Sequence, residues 1–134
     1  MSIFGIFNEL SITQKNAIIL VNFSLISADT NKPNKVIQQK LLLQNIKELN
    51  VDVQSIGEHS NKVGVKNAVG VLTSMTEIQK GFLAILCYEL ISSNGSPTEL
   101  EMKTLILNFN FMNIDEDGFI KLYRDCQFLY NKFK

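Results

Sequence analysis

The chain has 134 residues, 46% of them hydrophobic, and its 13 basic side chains balance 13 acidic ones. A chain of this length and composition forms one domain with a hydrophobic core of its own. The zero net charge and the single arginine, Arg124, exclude the strongly basic surface by which proteins grip nucleic acid. We therefore expect no nucleic-acid partner.

The composition also indicates a compartment. Cys87 and Cys126 stand among apolar residues without metal-like spacing, which is typical of reduced core thiols in a cytoplasmic protein. The start of the chain has no basic region ahead of its apolar residues, so it does not resemble a signal peptide. The longest wholly apolar run, residues 82–88, is far shorter than the roughly 18 residues of a membrane span. We expect a cytoplasmic protein without a transmembrane segment.

Residues 1–11 are predicted to form an amphipathic N-terminal segment. Its apolar side chains recur with the spacing that places them on one face of a helix. That face has three possible covers: the protein's own bundle, a groove on a partner, or a membrane surface. No Lys or Arg precedes Lys15, which makes anionic lipid the weaker choice. The candidate interaction residues are Ile3, Phe4, Ile6, Phe7 and Leu10.

Two capping boxes predict the two central helices. Ser11 with Gln14, and Thr76 with Gln79, each stand just ahead of a long apolar run. Both runs are apolar on nearly every side, which is typical of helices that lie in the middle of a bundle.

An amphipathic helix is predicted after each central one. In the second half Ser96 is the expected N-cap, with Pro97 at the first helical position and Glu99 closing the box. In the first half Pro33 marks the corresponding loop. The predicted buried stripes are Leu42, Leu43, Ile46 and Leu49 in one helix and Leu105, Ile106, Phe109 and Met112 in the other.

The two halves of the sequence repeat each other. The segment around Leu25 reappears around Leu90, an offset of 90 − 25 = 65, and that around Leu42 reappears around Leu105, an offset of 105 − 42 = 63. The change of two residues falls in a loop, where deletions are best tolerated. We predict an all-α single-domain bundle of about seven helices over residues 12–134. Its pseudo-two-fold repeat units span about residues 14–59 and 79–124.

The second interhelical loop carries a resemblance to a known family. Here an apolar helix is followed by Asn94-Gly95 and, without a spacer, by Ser96-Pro97-Thr98-Glu99. With the doubled helix–loop–helix layout, this resembles the TerB-like family, named for tellurite resistance, over about residues 12–130. The resemblance implies an all-helical cytoplasmic protein of a stress or tellurite response. It also implies divalent-metal binding through acidic residues, or a place in a larger membrane-linked assembly.

The resemblance implies a candidate metal site at the interhelical loops. Asn94 stands where the family has aspartate, while Glu99 matches the family's glutamate. In the first half Asp29 matches the aspartate, but Lys35 and Val36 stand where a glutamate is expected. A hard cation such as calcium or magnesium needs several convergent oxygens with matching negative charge, so these replacements indicate a degenerate site. The candidate ligands are Asp29, Asn94, Glu99 and Glu101.

A second loop resembles part of a calcium-binding loop. Residues 113–120 place oxygen-bearing side chains at Asn113, Asp115 and Asp117, with Gly118 at the sixth position, as an EF-hand does. The twelfth position, normally a bidentate glutamate, is Arg124, which repels a cation. The alternative is a polar turn whose aspartates cap the last helix, and we favour it.

Two lone titratable residues complete the candidates. Glu89 is the one acid well inside either central helix. It pairs with Lys15 or Lys80 in the core, reaches the loop as a ligand, or lies at the helix margin in water. The sole histidine, His59, has no partner motif and is expected to be a solvated residue at a helix end.

These observations favour a protein that is not an enzyme, because no acid–base pair, nucleophile motif or phosphate-binding glycine loop stands out. We expect a TerB-like stress-response or protein-interaction module with a degenerate acidic site and no cofactor. The alternative is a divalent-metal-binding sensor that uses the loop acids. A small hydrolase built on Glu89 and Glu99 has the least support.

Overall fold

The structure, a computed structural model, describes residues 2–134 and is all-helical over that range. The prediction of about seven helices without strands is confirmed. Short 3-10 helices cover Ile3–Phe7 and Val71–Ser74. The α-helices are α1 (Ile12–Ile26), α2 (Lys35–Leu49), α3 (Val53–Val63), α4 (Val65–Gly70), α5 (Glu77–Ser92), α6 (Glu99–Asn110) and α7 (Glu116–Phe133).

Helices α1 and α5 form the centre of the bundle, as their sequences predict. Both predicted capping boxes are formed: Ser11 and Thr76 accept hydrogen bonds from the backbone N–H groups three residues on, and Gln14 and Gln79 reciprocate. α1 packs against α2, α3, α4, α5 and α6, while α5 packs against α7, α1 and α2. Such crowding requires side chains that are apolar on almost every face.

Helices α2 and α6 cover the central pair with stripes that include polar residues. In α6, Leu105 and Phe109 are buried as expected. In α2 the prediction is wrong for Leu43, which is 65% exposed, because the buried stripe runs through Gln38, Leu42 and Asn45. The buried face of α2 therefore includes the amides of Gln38 and Asn45, and it is turned away from the face that a purely hydrophobic stripe predicts.

Three buried asparagines join α1 to its two covering helices. The amide of Asn45 donates to Asn22 Oδ1 at 3.2 Å, and Asn22 donates back to its own helix at the Ile18 carbonyl. On the other side of α1, Asn108 donates to Ser24 Oγ at 2.9 Å. Each amide is less than 6% exposed, so these bonds are made away from water.

Helices α5 and α7 approach each other closely at Gly81 on α5. A Cβ placed on this glycine would lie 2.1 Å from the Cys126 Sγ atom of α7 and 3.1 Å from the Leu122 carbonyl oxygen. The absence of a side chain here lets the two helices form the most extensive helix pair in the bundle.

The connection between the halves is a broken helix. α3 ends and α4 begins around Gly64, whose φ of +84° lies in the region that favours glycine. Of the described residues, none belongs to a helix that is both long and apolar enough to cross a membrane.

Candidate functional site

The α5–α6 loop and the α1–α2 loop meet over the ends of the central helices. α6 begins after Thr98, whose hydroxyl accepts from Glu101 N at 3.2 Å, while the Glu101 side chain accepts from Thr98 N at 2.9 Å. The predicted N-cap at Ser96 with Glu99 is therefore wrong by two residues. The consequence is large, because the shift makes Glu101 the capping glutamate and turns its side chain inward.

Four polar side chains are buried together at this point. We call Lys32, Gln38, Asn94 and Glu101 the loop cluster; each is at most 8% exposed. The Lys32 Nζ atom lies 2.7 Å from Glu101 Oε1 and 2.7 Å from the Ile91 carbonyl oxygen. It also donates to the Gly95 carbonyl at 3.4 Å. An ammonium thus sits where three oxygens from the second half of the chain converge.

Gln38 completes the loop cluster from α2. Its Nε2 donates to Asn94 Oδ1 at 3.0 Å and to Glu101 Oε2 at 2.8 Å. Asn94 donates in turn to the Pro33 carbonyl at 3.0 Å. Both Glu101 oxygens are therefore occupied by donors, and the two loops are bonded to each other directly.

The charge of Glu101 is stabilised by this arrangement. Burial by itself raises the pKa of the carboxyl, but hydrogen bonds from Lys32, the Thr98 backbone and Gln38 outweigh burial and hold the pKa below its usual value. The carboxylate and the Lys32 ammonium therefore form a buried, fully bonded ion pair at neutral pH.

The four predicted metal ligands are divided by the structure. Asn94 and Glu101 come together in the loop cluster. Glu99 points to solvent and pairs with Lys103 at 3.0 Å, four residues along the helix. Asp29 caps its own loop by accepting from Asn31 N at 3.1 Å. Over residues 2–134, no three His, Cys, Asp or Glu side chains are grouped closely enough to hold a metal ion.

Two members of the loop cluster escape the sequence analysis. Lysine is the residue least expected in a core, so Lys32 gives no signal by type or neighbours. Gln38 does give one: the offset of 63 pairs it with Glu101, since 101 − 38 = 63. Gln38 stands four residues before Leu42, and Glu101 stands four residues before Leu105. Because those leucines belong to the predicted buried stripes, this spacing places Gln38 and Glu101 on the buried faces of their helices.

The EF-hand-like segment is a helix cap. Asp115 Oδ1 accepts from Gly118 N at 2.7 Å, and α7 begins at Glu116, so residues 116–120 are helical rather than looped. Asn113 adopts a left-handed φ of 62° just before the cap. The favoured alternative, a capping turn, is what the structure shows. A cleft of about 510 Å³ lies beside it, between α7 and the start of α5.

Glu89 lies at the edge of the bundle, with partners that the sequence did not suggest. Its carboxylate accepts from the Tyr130 hydroxyl at one oxygen and pairs with the Lys134 ammonium at the other. The proposed partners Lys15 and Lys80 are not involved. At 32% exposure the side chain is half-buried, between the two alternatives that the sequence left open.

His59 is not a solvated residue at a helix end. It lies within α3, half-buried, and its Nε2 atom is buried without a hydrogen-bond partner. α3 runs on to Val63, so His59 lies inside the helix and not at its end. One edge of its ring is turned toward the protein, where Nε2 is buried.

The N-terminal segment lies against the bundle of the same chain. Residues Ile3–Phe7 form a 3-10 helix rather than an amphipathic α-helix, and it packs on α5 and α2. Phe4 and Phe7 are buried at 8% and 1% exposure. Gln79 donates to the Ile6 carbonyl at 3.0 Å and fixes the segment to the start of α5. The remaining apolar residues, Ile3, Ile6 and Leu10, are half-buried.

Cys87 and Cys126 are buried, and neither forms a disulfide bond. Burial raises the pKa of both the Cys87 and the Cys126 thiols, so neither has the thiolate character of a reactive cysteine.

The fold and the loop cluster define an all-α helical bundle with an internal ion pair. Comparisons with family models, with curated proteins and with solved structures found no match to this chain.

Proposed function

We propose that the protein is a non-catalytic, cytoplasmic protein-interaction module of the TerB-like type, serving a stress response, in which the acidic loop site has become a structural ion pair. The proposal includes the pseudo-two-fold repeat of the domain. We propose further that its partners are proteins, and that some of them belong to a membrane-linked assembly.

The order of helices supports the repeat. α1, α2 and α3 are followed in the second half by α5, α6 and α7 in the same sequence order. The starts of α1 and α5 differ by 77 − 12 = 65, and those of α3 and α7 by 116 − 53 = 63, which are the two offsets of the sequence repeat. Gln38 and Glu101, equivalent under the second offset, are in direct contact.

The observation that carries the proposal is the position of Lys32. Its side chain is 4% exposed, and its ammonium is bonded to a carboxylate and two carbonyl oxygens, the kind of oxygen ligands that a hard cation takes. A divalent ion would have to displace a covalently attached cation that is always present at saturating local concentration. The loop cluster therefore serves to join the two loops.

The proposal is tested by replacing the lysine. Lys32→Ala leaves Glu101 buried without its counter-charge, and we expect the free energy of unfolding to fall by about 3–5 kcal/mol. Lys103→Ala is the matched control: its exposed pair with Glu99 is worth at most about 1 kcal/mol. Chemical denaturation of the three proteins measures both effects.

Calorimetric titration of the unmodified protein with calcium, magnesium, manganese and zinc supplies the decisive arm. We expect no binding heat at micromolar affinity. Such heat, with a rise in melting temperature, would replace the proposal with the alternative, a divalent-metal-binding sensor. The convergence of Glu101 with the carbonyls of Ile91 and Gly95 is the observation that favours that alternative.

A further inference from the structure

Two cavities flank Glu89 and together form a groove between α2, α5 and the end of α7. Their volumes are about 370 and 300 Å³, and they share five lining residues, Leu41, Asn45, Leu86, Glu89 and Lys134. We call this surface the Glu89 groove. It is lined by Ile3, Leu41, Asn45 and Leu86 around Glu89 and Lys134. Leu41 and Leu86 give the groove an aliphatic wall, polar side chains line much of the rest, and two acids line it, Glu89 from α5 and Glu48 from α2.

Tyr130 fixes the carboxylate in the groove. The tyrosine is 1% exposed and its ring packs edge-on against Phe82, with 5.3 Å between ring centroids. Its hydroxyl donates to Glu89 Oε1, and burial together with that bond raises the pKa of the phenol, which stays protonated. Glu89 Oε2 is the oxygen whose exposed partner, Lys134, a ligand can displace. The acceptor is thus oriented before any ligand arrives.

Lys134 shows what this acceptor binds. Its ammonium pairs with Glu89 Oε2, and Phe133 just before it packs edge-on against Phe82, with 5.9 Å between centroids. The lysine side chain is 61% exposed, and an ion pair so open to water contributes little to stability. An incoming lysine therefore displaces it at little cost.

We propose that the Glu89 groove binds a lysine side chain of a partner protein, next to an apolar residue, in the position that Lys134 takes in the free chain. This inference rests on the proposed function, and it names the chemistry of the partner.

The geometry selects lysine over arginine. A guanidinium binds a carboxylate best through two parallel hydrogen bonds to both oxygens. Tyr130 already donates to Oε1, so an arginine has to share that oxygen with the hydroxyl to form both bonds. An ammonium needs only the remaining Oε2, and the aliphatic stem of a lysine packs along Leu41 and Leu86.

The test is an NMR titration of the full chain with two short capped peptides, Ala-Phe-Lys-Ala and its arginine counterpart. We expect shifts confined to amides around Leu41, Leu86 and Glu89. Lys134→Ala should bind the lysine peptide at least about threefold more tightly, because the competing ammonium is gone. Glu89→Gln should weaken binding at least tenfold. Glu77→Gln, an exposed acid on the same helix, is the matched control and should change nothing.

Tyr130→Phe provides the sharpest arm. It frees Oε1, so the arginine peptide should gain relative to the lysine peptide until the two bind alike. Equal binding of both peptides to the unmodified chain, or unchanged binding by Glu89→Gln, would overturn the inference. So would the absence of any shift at millimolar lysine peptide with the Lys134→Ala chain. None of these outcomes bears on the Lys32→Ala measurement or the metal titration, which test the proposed function.

Discussion

At the scale of single residues, the most consequential pair is Lys32 with Glu101. Two opposite charges taken out of water gain little over a hydrophobic pair of the same size, but neither can be removed alone without leaving a buried charge unpaired. The two residues come from different halves of the chain. The pair therefore holds the two interhelical loops in one arrangement.

This pair predicts a pH dependence that belongs to Glu101. The pKa of its carboxyl is lowered on folding from an ordinary 4.5, so its contribution to stability is complete above that pH and is lost as the pH falls through the folded value. Glu101→Gln should lower the free energy of unfolding by about 2–4 kcal/mol at pH 7. The deficit should shrink as the pH falls below 4.5 and through the folded value, where the unmodified protein loses the same charge.

Urea denaturation at several pH values measures this difference. Glu99→Gln, which changes an exposed acid two residues earlier, should stay within about 0.5 kcal/mol at every pH. A Glu101→Gln deficit that does not vary with pH would show that the carboxylate charge is not what the loop cluster uses.

The burial of Lys32 lies beyond sequence reasoning for a physical reason. Whether a lysine is buried depends on which oxygens the rest of the chain brings to it, and those oxygens are about 60 to 70 residues away in sequence. Glu101 is more accessible to reasoning, since it forms a capping box with Thr98. There Ser96-Pro97 offered a competing start, and the structure uses the later one.

At the scale of helices, the contact of α5 with α7 depends on Gly81. Gly81→Ala should lower the free energy of unfolding by at least about 1–3 kcal/mol, because the new methyl group meets Cys126 and the Leu122 backbone. Thermal and chemical denaturation measure the loss.

The control for this substitution has the opposite sign. Gly57 lies within α3 with open space around its Cα, so Gly57→Ala should stabilise the protein by up to about 1 kcal/mol through helix propensity. If both variants lose stability alike, the steric account of the α5–α7 crossing is wrong.

The helices themselves were largely readable from local signals. Ser11 and Thr76 mark the starts of the central helices because a capping box involves only four adjacent residues. The faces were less readable, as Leu43 shows: which side of α2 is buried depends on amides that find partners on other helices. The role of Gly81 could not be predicted from the sequence either, because it depends on where α5 and α7 cross.

At the scale of the whole molecule, one core joins both halves. Buried residues of α1, α2 and α3 form a single cluster with those of α5, α6 and α7. α1 packs against α5 and α6 as well as against its own neighbours. Neither half can bury its apolar faces alone, although each carries a similar set of helices.

Separated halves should therefore fail to fold. Residues 1–70 and 71–134, expressed individually, are expected to lack cooperative unfolding and dispersed amide spectra. Mixing the two should restore both properties, since the missing surface is then supplied in trans. A dispersed spectrum from either half by itself would contradict this account and make that half an autonomous domain.

The asparagines around α1 have a further consequence. Aliphatic side chains resemble one another closely enough that an apolar helix such as α1 can shift by one turn, about 5.4 Å, along its neighbours and still exclude water. Asn22, Asn45 and Asn108 oppose this, because a slip would break the bonds from Asn45 to Asn22 and from Asn108 to Ser24 and leave the Asn45 amide in hydrocarbon without a partner. These polar residues in the apolar core thus select a single alignment of α1 with α2 and α6.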